Sequence, residues 1–89
     1  MILLIDIGNT STKVATYDII TNKVKNYSTF LTCKKNTIKK IIRYVKNKRI
    51  KHSLVSSVVP TIYKIIKKNL SKNKIKVFEF KDKIIKKKI

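Results

Sequence analysis

The sequence predicts a single α/β domain, in which a three-stranded antiparallel meander is followed by a helix, a strand, a second helix and a last strand. Two observations predict this order. In the first third of the chain, short apolar or alternating runs are separated by turn residues, which is typical of consecutive strands. Beyond residue 37, apolar residues recur twice at helical spacing, and a short strand-like run follows each time. The 89 residues contain no Gly/Ser-rich linker, so residues 1–89 are expected to form one domain.

The first strand is predicted over residues 2–7, ILLIDI. This nearly unbroken apolar run predicts a strand that is buried on both faces. Gly8 and Asn9 follow it, and both residue types tolerate a positive φ angle. A turn is therefore expected at these two residues.

Two more strands complete the predicted meander. Residues 13–19 form the second strand, with Ala15, Tyr17 and Ile19 on one face. Residues 21–23 supply another turn, and residues 24–31 form the third strand. Short connections of this kind favour antiparallel neighbours.

The period then changes to that of an amphipathic helix with lysines on its outer face. Its apolar positions follow the i, i+3, i+4, i+7 pattern: Ile38, Ile41, Ile42 and Val45. Asn36 or Thr37 is the expected N-cap. A strand over residues 52–59 is reached through this helix, so we expect it to run parallel to its neighbour.

Pro60 is well suited to open the second helix, because the first helical position needs no N–H group. The apolar side of that helix consists of Ile62, Ile65, Ile66 and Leu70. A fifth strand is predicted over residues 74–80, and residues 81–89 read as a charged tail or the start of another helix. A meander continued by crossover helices is the ribonuclease H-like arrangement, in which the first hairpin turn faces the active cleft.

The formal net charge of +19, from 23 basic and 4 acidic residues, is typical of proteins that bind nucleic acid or an anionic membrane surface. Only Arg43 and Arg49 are arginines. The chain therefore has few planar guanidinium groups, which favour recognition of phosphates and bases. Lysine, isoleucine and asparagine dominate the chain, and all three have A/T-rich codons. We therefore attribute the lysines mainly to base composition, and expect nucleic-acid binding to be non-specific.

A location in the cytoplasm, without a membrane partner, is expected. Cys33 is the single cysteine, so an intrachain disulfide is excluded. The apolar run at the N-terminus is stopped by Asp6 and has no basic residue before it, which makes it too short for a signal peptide or a membrane span.

The first turn is a candidate phosphate site. Asp6 is expected at the carboxyl end of a buried strand, beside a turn whose amides and hydroxyls can surround phosphate oxygens. Gly8 allows close approach and Lys13 adds a positive charge. The hydroxyls belong to Thr10, Ser11 and Thr12. An ionised Asp6 repels phosphate, so its expected role is to hold Mg²⁺ or to orient a nucleophile. The alternative is an ordinary exposed hairpin turn.

Two motifs carry a family resemblance. IDIGNTSTK, residues 5–13, resembles the first phosphate motif of the acetate and sugar kinase, heat-shock ATPase and actin superfamily, and its Asp-Ile-Gly-Asn-Thr form resembles type III pantothenate kinases. VSSVVP, residues 55–60, is similar to the serine-valine-proline segment at the end of the fourth strand of those kinases. The chain would then be the N-terminal ATPase-like subdomain of such a kinase.

The resemblance implies transfer of the γ-phosphoryl group of ATP to pantothenate, which gives 4'-phosphopantothenate, in the first step of coenzyme A biosynthesis. It implies ATP, Mg²⁺ and a monovalent cation (K⁺ or NH₄⁺) as cofactors, with Mg²⁺ at Asp6. The implied nucleotide loop consists of Asp6, Gly8, Asn9, Thr10, Ser11, Thr12 and Lys13. Ser56 and Ser57 either help to shape the cleft or are merely the polar end of a strand.

The resemblance covers only the first of the two similar halves of that family. The Gly-Ala-Asp-Arg segment that supplies the catalytic base has no counterpart, and Asp18, Glu79 and Asp82 lie in other contexts, so no catalytic residue is assigned. We expect no appreciable kinase activity from this chain alone, which reads as a truncated or split member completed by a second chain or a homodimer, or as a relic.

The rival hypothesis is a ribonuclease H-like nucleic-acid-binding protein that uses its lysine-rich surface. A resolvase-like nuclease of this fold needs three or four clustered carboxylates for two-metal cleavage. Only Asp6 is suitably placed. A nuclease is therefore disfavoured, whereas non-specific binding through lysines stays open.

Overall fold

The computed structural model describes residues 1–33, 36–46 and 48–80. The prediction of a charged tail or a further helix falls on residues 81–89, which lie outside the described residues. The elements within the described part are β1 (Ile2–Ile7), β2 (Ser11–Asp18), β3 (Lys23–Leu31), α1 (Asn36–Val45), β4 (His52–Ser57), α2 (Pro60–Lys72) and β5 (Lys76–Glu79).

The five strands form one mixed sheet in the order β3-β2-β1-β4-β5. β1, β2 and β3 are antiparallel neighbours, whereas β4 lies parallel to both β1 and β5. The predicted meander and the parallel fourth strand are therefore confirmed. This order places the carboxyl ends of β1 and β4 side by side at one edge of the sheet, next to the β1–β2 turn.

Both helices pack on one face of the sheet. Leu3, Ile5 and Ile7 of β1 are almost completely buried there, in a single cluster with residues of α1 and α2. The helix side of that cluster is formed by Ile41, Val45, Ile62, Ile66 and Leu70. Every member is aliphatic, so the burial of this layer supplies the main stabilisation of the small domain.

The expectation that β1 is buried on both faces was wrong for the described part of the chain. Its side chains alternate: Ile2 and Leu4 are half-buried and Asp6 is exposed. They lie on the face opposite the helices, together with Ala15 and Leu54, and no residue of either helix lines the cavities there. We call this side of the sheet the open face.

The N-terminal end of α1 is tied to the preceding chain by Thr37. The Thr37 hydroxyl accepts a hydrogen bond of 2.7 Å from the backbone N–H of Cys33, and the Thr37 N–H donates one of 2.8 Å to the carbonyl of Cys33. Thr37 is fully buried inside the helix. It therefore satisfies backbone groups from within the first turn and is not the N-cap.

Pro60 begins α2, as predicted, and a Schellman motif ends it. The N–H of Ile75 donates to the carbonyl of Leu70 at 2.9 Å, and the N–H of Lys74 donates to that of Ser71 at 3.1 Å. Lys74 has a φ angle of 61°, a position that usually belongs to glycine. This motif delays the start of β5 to residue 76, two residues later than predicted.

Neither helix of the described residues is long and apolar enough to cross a membrane.

Candidate phosphate-binding site

The turn between β1 and β2 is closed by one backbone hydrogen bond, from the N–H of Gly8 to the carbonyl of Ser11, at 2.9 Å. A second bond of 2.8 Å runs from the N–H of Thr32, just after β3, to the carbonyl of Thr10. The N–H groups of Asn9 and Thr10 have no hydrogen-bond partner among the described residues. Both residues are exposed at the tip of the turn, so their amides can donate hydrogen bonds to an anion.

Gly8 is needed for a different reason from the one predicted. The predicted turn is present, but neither Gly8 nor Asn9 has the positive φ angle that these residue types tolerate. A Cβ atom added to Gly8 would lie 3.0 Å from the carbonyl oxygen of Ser11, which is too close for an ordinary contact. Glycine at this position therefore lets the two arms of the hairpin approach closely.

Asp6, Lys13 and Ser56 lie side by side on the open face. The sheet register pairs Asp6 with Lys13 on β2 and with Ser56 on β4. All three residues line one cavity of about 340 Å³. The carboxylate of Asp6 is exposed and makes no hydrogen bond or ion pair with the described residues. Side chains of opposite charge thus stand at adjacent positions next to the turn.

The three hydroxyls of the predicted loop point in different directions. Thr10 is exposed, and the alternation of β2 places Ser11 on the same face as Lys13. Thr12 is fully buried on the helix side, where its hydroxyl forms a hydrogen bond of 2.7 Å with the hydroxyl of Thr32. The Thr12 side chain therefore supports the hairpin and does not line the turn. The local sequence around Thr32 does not predict this contact, because the contact depends on how β2 pairs with β3.

The second sequence motif lies against the first. After β4, the N–H of Val58 donates to the carbonyl of Ile7 at 3.0 Å, so the end of one motif is hydrogen-bonded to the start of the other. Ser57 is occupied locally: its hydroxyl accepts from the N–H of Val59 at 3.0 Å and lies 3.1 Å from the Val59 carbonyl. Ser56 lines the cavity, whereas Ser57 shapes the chain before Pro60.

The apolar lining of this cavity was missed by the sequence reasoning. Leu4 and Leu54 line it from β1 and β4, Val24 and Tyr27 line it from β3, and Phe80 lines it from just after β5. The outer strands approach this cavity only through the sheet order, so no local pattern identifies them.

The other acidic residues of the described part lie away from Asp6. Asp18 is at the opposite end of β2, and Glu79 pairs with Val55, whose side chain is buried on the helix side. Within residues 1–33, 36–46 and 48–80, no three His, Cys, Asp or Glu side chains come together as a metal site. A two-metal nuclease centre is therefore not formed by these residues.

A site with a single carboxylate is compatible with Mg²⁺ that binds together with a nucleotide. Mg²⁺ keeps several waters and is commonly bound by one or two carboxylates together with substrate phosphates. Asp6 is exposed at the carboxyl end of β1 and has no competing partner among the described residues. Its chemistry and position are therefore compatible with a metal that is shared with phosphate.

Comparison with solved structures shows a similar fold in a viral resolvase. The fowlpox virus resolvase, in complex with Holliday junction DNA, is 20% identical with a TM-score of 0.61, and the match covers 90% of this chain. A second structure of the fowlpox virus Holliday junction resolvase gives 20% identity, a TM-score of 0.55 and 89% coverage. This chain spans 60% and 59% of those two chains. The likeness confirms the ribonuclease H-like fold and, at this identity, the fold alone.

Comparison with curated protein sequences finds no match. The sequence model of type III pantothenate kinase matches residues 2–89, almost the whole chain, and this match includes both motifs that meet at the candidate site. The chain belongs to the type III pantothenate kinase family.

Proposed function

We propose that this chain forms the ATP-phosphate half of a type III pantothenate kinase site. The observation that carries the proposal is the arrangement at the carboxyl end of β1. There Asp6 is paired with Lys13, and the turn that follows contains the exposed residues Asn9 and Thr10, whose amides have no hydrogen-bond partner among the described residues. Amide dipoles and a lysine ammonium attract phosphate oxygens, and a carboxylate beside them attracts the accompanying Mg²⁺.

Each residue of the predicted loop has its own role in this proposal. Asn9 and Thr10 donate backbone N–H groups to phosphate oxygens, and Ser11 adds a hydroxyl. Gly8 keeps the hairpin narrow, and Thr12 anchors it to Thr32. Lys13 neutralises phosphate charge, and Asp6 holds Mg²⁺, which when bound supplies further charge neutralisation during phosphoryl transfer. A monovalent cation is a further cofactor of the proposed kinase, for which this chain suggests no ligands.

The proposed reaction is phosphorylation of pantothenate by ATP, as the first step of coenzyme A biosynthesis in the cytoplasm. Phosphoryl transfer requires positioning of both reactants and exclusion of water. The candidate turn provides phosphate contacts, but it offers no general base for the pantothenate hydroxyl among the described residues. A second polypeptide, or a second half, is therefore required for turnover.

A coupled assay of ADP release tests this proposal. The 89-residue chain is incubated with ATP, Mg²⁺ and pantothenate, alone and together with the C-terminal half of a type III pantothenate kinase. We expect no turnover by the chain alone, and turnover by the mixture that Asp6→Asn reduces at least tenfold. Ordinary turnover by the isolated chain, or a mixture whose activity does not respond to Asp6→Asn, would contradict the proposal. Lys68→Ala, on the exposed side of α2, is the matched control.

A second candidate function is non-specific binding of nucleic acid, favoured by the net charge of +19. This binding would be electrostatic, and its affinity would fall steeply with salt concentration. DNA binding that persists at high salt, or that Asp6→Asn abolishes, would contradict that mode of binding.

A further inference from the structure

A separate cavity of about 360 Å³ lies between β3 and α1, on the helix side of the sheet. We call it the β3–α1 cavity. Its lining comes from these two elements: Ser28, Thr29 and Phe30 from β3, and Lys40, Arg43 and Tyr44 from α1. None of these residues lines the cavity beside Asp6. Sites for small organic molecules have volumes of about 300–1,000 Å³, so a ligand of that class fits here.

The charges in the β3–α1 cavity are all positive. Lys40 and Arg43 are three positions apart on α1, which makes them neighbours on one side of the helix. Both side chains are exposed, and neither forms a hydrogen bond or an ion pair with the described residues. None of the acidic residues in the described part of the chain lines the cavity. The two cations are therefore available to an anionic ligand.

A hydroxyl group lies opposite these cations. Ser28 is paired with Val14, whose side chain is buried in the cluster under the helices, so the Ser28 side chain points to the helix side. The Ser28 hydroxyl has no hydrogen-bond partner among the described residues. Guanidinium, ammonium and hydroxyl groups all donate to phosphate oxygens, and the planar guanidinium of Arg43 can do so through two parallel hydrogen bonds. The donor set therefore suits a phosphate group.

A β-bulge in β3 comes directly before Ser28. The β2–β3 register shifts between Val14 and Thr16, so β3 has one more residue than β2 over this stretch. Asn26 has a φ angle of 57° there, and its side-chain amide donates to the Thr16 hydroxyl at 3.1 Å. The Tyr44 hydroxyl donates to the Asn26 carbonyl at 2.6 Å, which ties the bulge to α1. Bulges often re-aim side chains next to binding sites, and this one fixes both walls of the cavity relative to each other.

Aromatic rings form the rest of the lining. Phe30 and Tyr44 contribute one ring each, from β3 and from α1. The ammonium of Lys40 lies 5.4 Å from the centroid of the Phe30 ring, so a cation is held at the edge of the apolar part. A bare phosphate ion would leave these rings uncovered. A ligand that carries both a phosphate and an apolar group would contact the whole lining.

We propose that the β3–α1 cavity binds a small organic phosphomonoester. Arg43, Lys40 and Ser28 hold its phosphate, and its organic part lies against Phe30 and Tyr44. This site goes beyond the proposed function and does not depend on it, because it shares no residue with the candidate turn.

An NMR titration of the ¹⁵N-labelled 89-residue chain with phenyl phosphate tests this site. The salt concentration is about 0.15 M, at which the Debye length of about 8 Å screens general attraction by the lysines. We expect the largest shifts at the amides of Ser28, Phe30 and Arg43. The affinity is expected to be at least threefold higher than for inorganic phosphate, and phenol is expected to cause no shifts.

Three results of this titration would overturn the inference. Equal affinity for inorganic phosphate would leave the organic part without a role, and equal shifts with phenol would leave the phosphate without one. Shifts confined to residues 8–10 would place the phosphate at the candidate turn instead. That last result would still agree with the proposed function, so the two proposals fail independently.

Substitutions of exposed cations on one helix make the test specific. Arg43→Ala and Lys40→Ala are each expected to weaken phenyl phosphate binding at least tenfold, with the fold checked by circular dichroism. Lys39→Ala is the matched control, because Lys39 is exposed on α1 and does not line the cavity. An equal loss of affinity in Lys39→Ala would show attraction by net charge alone and refute the site.

Nucleic acid is the alternative source of phosphate, and a single-stranded oligothymidylate of about ten nucleotides is its probe. Non-specific electrostatic binding depends on the number of cations, so we expect Arg43→Ala and Lys39→Ala to weaken it by the same factor. If Arg43→Ala alone weakens oligonucleotide binding at least tenfold, the occupant is a nucleic-acid strand and the proposal of a small phosphomonoester is wrong.

Discussion

Asp6 and Lys13 are direct neighbours across the β1–β2 pair, yet they do not form an ion pair with each other. Directly opposed side chains in an antiparallel pair have Cβ atoms about 5 Å apart, so the two groups are close enough to act on one ligand. Ser56, opposite Asp6 on the other side, is uncharged. An anion with a bound cation can therefore engage both charges, which is the arrangement that nucleotide phosphates with Mg²⁺ require.

Replacement of Gly8 by alanine is expected to lower stability. The added Cβ would lie 3.0 Å from the carbonyl oxygen of Ser11, and that oxygen already accepts the 2.9 Å hydrogen bond that closes the turn. Reduced entropy of the unfolded chain favours alanine by about 0.4–1 kcal/mol. Displacement of a hairpin carbonyl costs more, so we expect a net loss of about 1 kcal/mol.

Urea unfolding measures this difference, with Asn9→Ala as the matched control. Asn9 is exposed at the tip of the turn, and its replacement is expected to change the free energy of unfolding by less than about 0.5 kcal/mol. Equal stability of the wild type and Gly8→Ala would show that the hairpin has room for a methyl group.

Asp18 is expected to contribute to stability at neutral pH and to lose this contribution in acid. The backbone N–H of Thr21 lowers the pKa of its carboxyl, with further lowering by the N–H of Ile20 and by Lys25, against an opposing effect of desolvation. A lowered folded-state pKa means that the folded protein binds the proton less readily than the unfolded chain. The stabilisation is therefore complete above the unfolded pKa of about 4 and disappears as the pH falls through the folded pKa.

Unfolding of wild type and Asp18→Asn between about pH 6 and pH 2 checks this direction. The stability difference between the two proteins is expected to be largest at the neutral end and to shrink as the pH falls below about 4. A difference that grows in acid would contradict the assigned direction.

Replacement of Lys74 by glycine is expected to stabilise the protein. Lys74 has a φ angle of 61° in the Schellman motif after α2, and a left-handed conformation costs a non-glycine residue about 1–2 kcal/mol. Glycine removes that cost but gains entropy in the unfolded chain, so the net gain is about 0.5–1 kcal/mol.

Thermal or urea unfolding measures this gain. Lys72→Gly is the control, because Lys72 is the last residue of α2 and glycine there lowers helix stability by up to about 1 kcal/mol. If both glycine variants destabilise the protein, the account of the Schellman motif is wrong.

Local patterns predicted the elements of the fold but not all of their ends. The unbroken run of β1 and the proline that opens α2 are strong local signals, and both elements begin where predicted. β5 begins later than predicted because Lys74 and Ile75 complete the end of α2, with Ile75 buried beside Leu70. An apolar residue such as Ile75 fits both the pattern of a strand and the apolar contact at the end of a helix. The sequence pattern alone therefore does not distinguish the two.

The composition of the candidate site was easier to predict than its geometry. Asp6 and Lys13 are on the open face because they are paired across β1 and β2, so their side chains lie on the same side of the sheet. The contact of Thr12 with Thr32 depends on the pairing of β2 with β3, and the reason for Gly8 depends on how closely the hairpin closes. Neither is encoded by residue type at a single position.

The most direct test of the central claim is a two-dimensional NMR titration of the ¹⁵N-labelled chain with ATP, in the presence and absence of Mg²⁺. We expect the largest shifts at the backbone amides of Asn9 and Thr10, with an affinity that Mg²⁺ increases in the wild type and leaves unchanged in Asp6→Asn. Shifts that are spread over the lysines of α1 and α2, with no Mg²⁺ dependence and no response at residues 8–10, would contradict the claim that this turn receives the phosphates of a nucleotide.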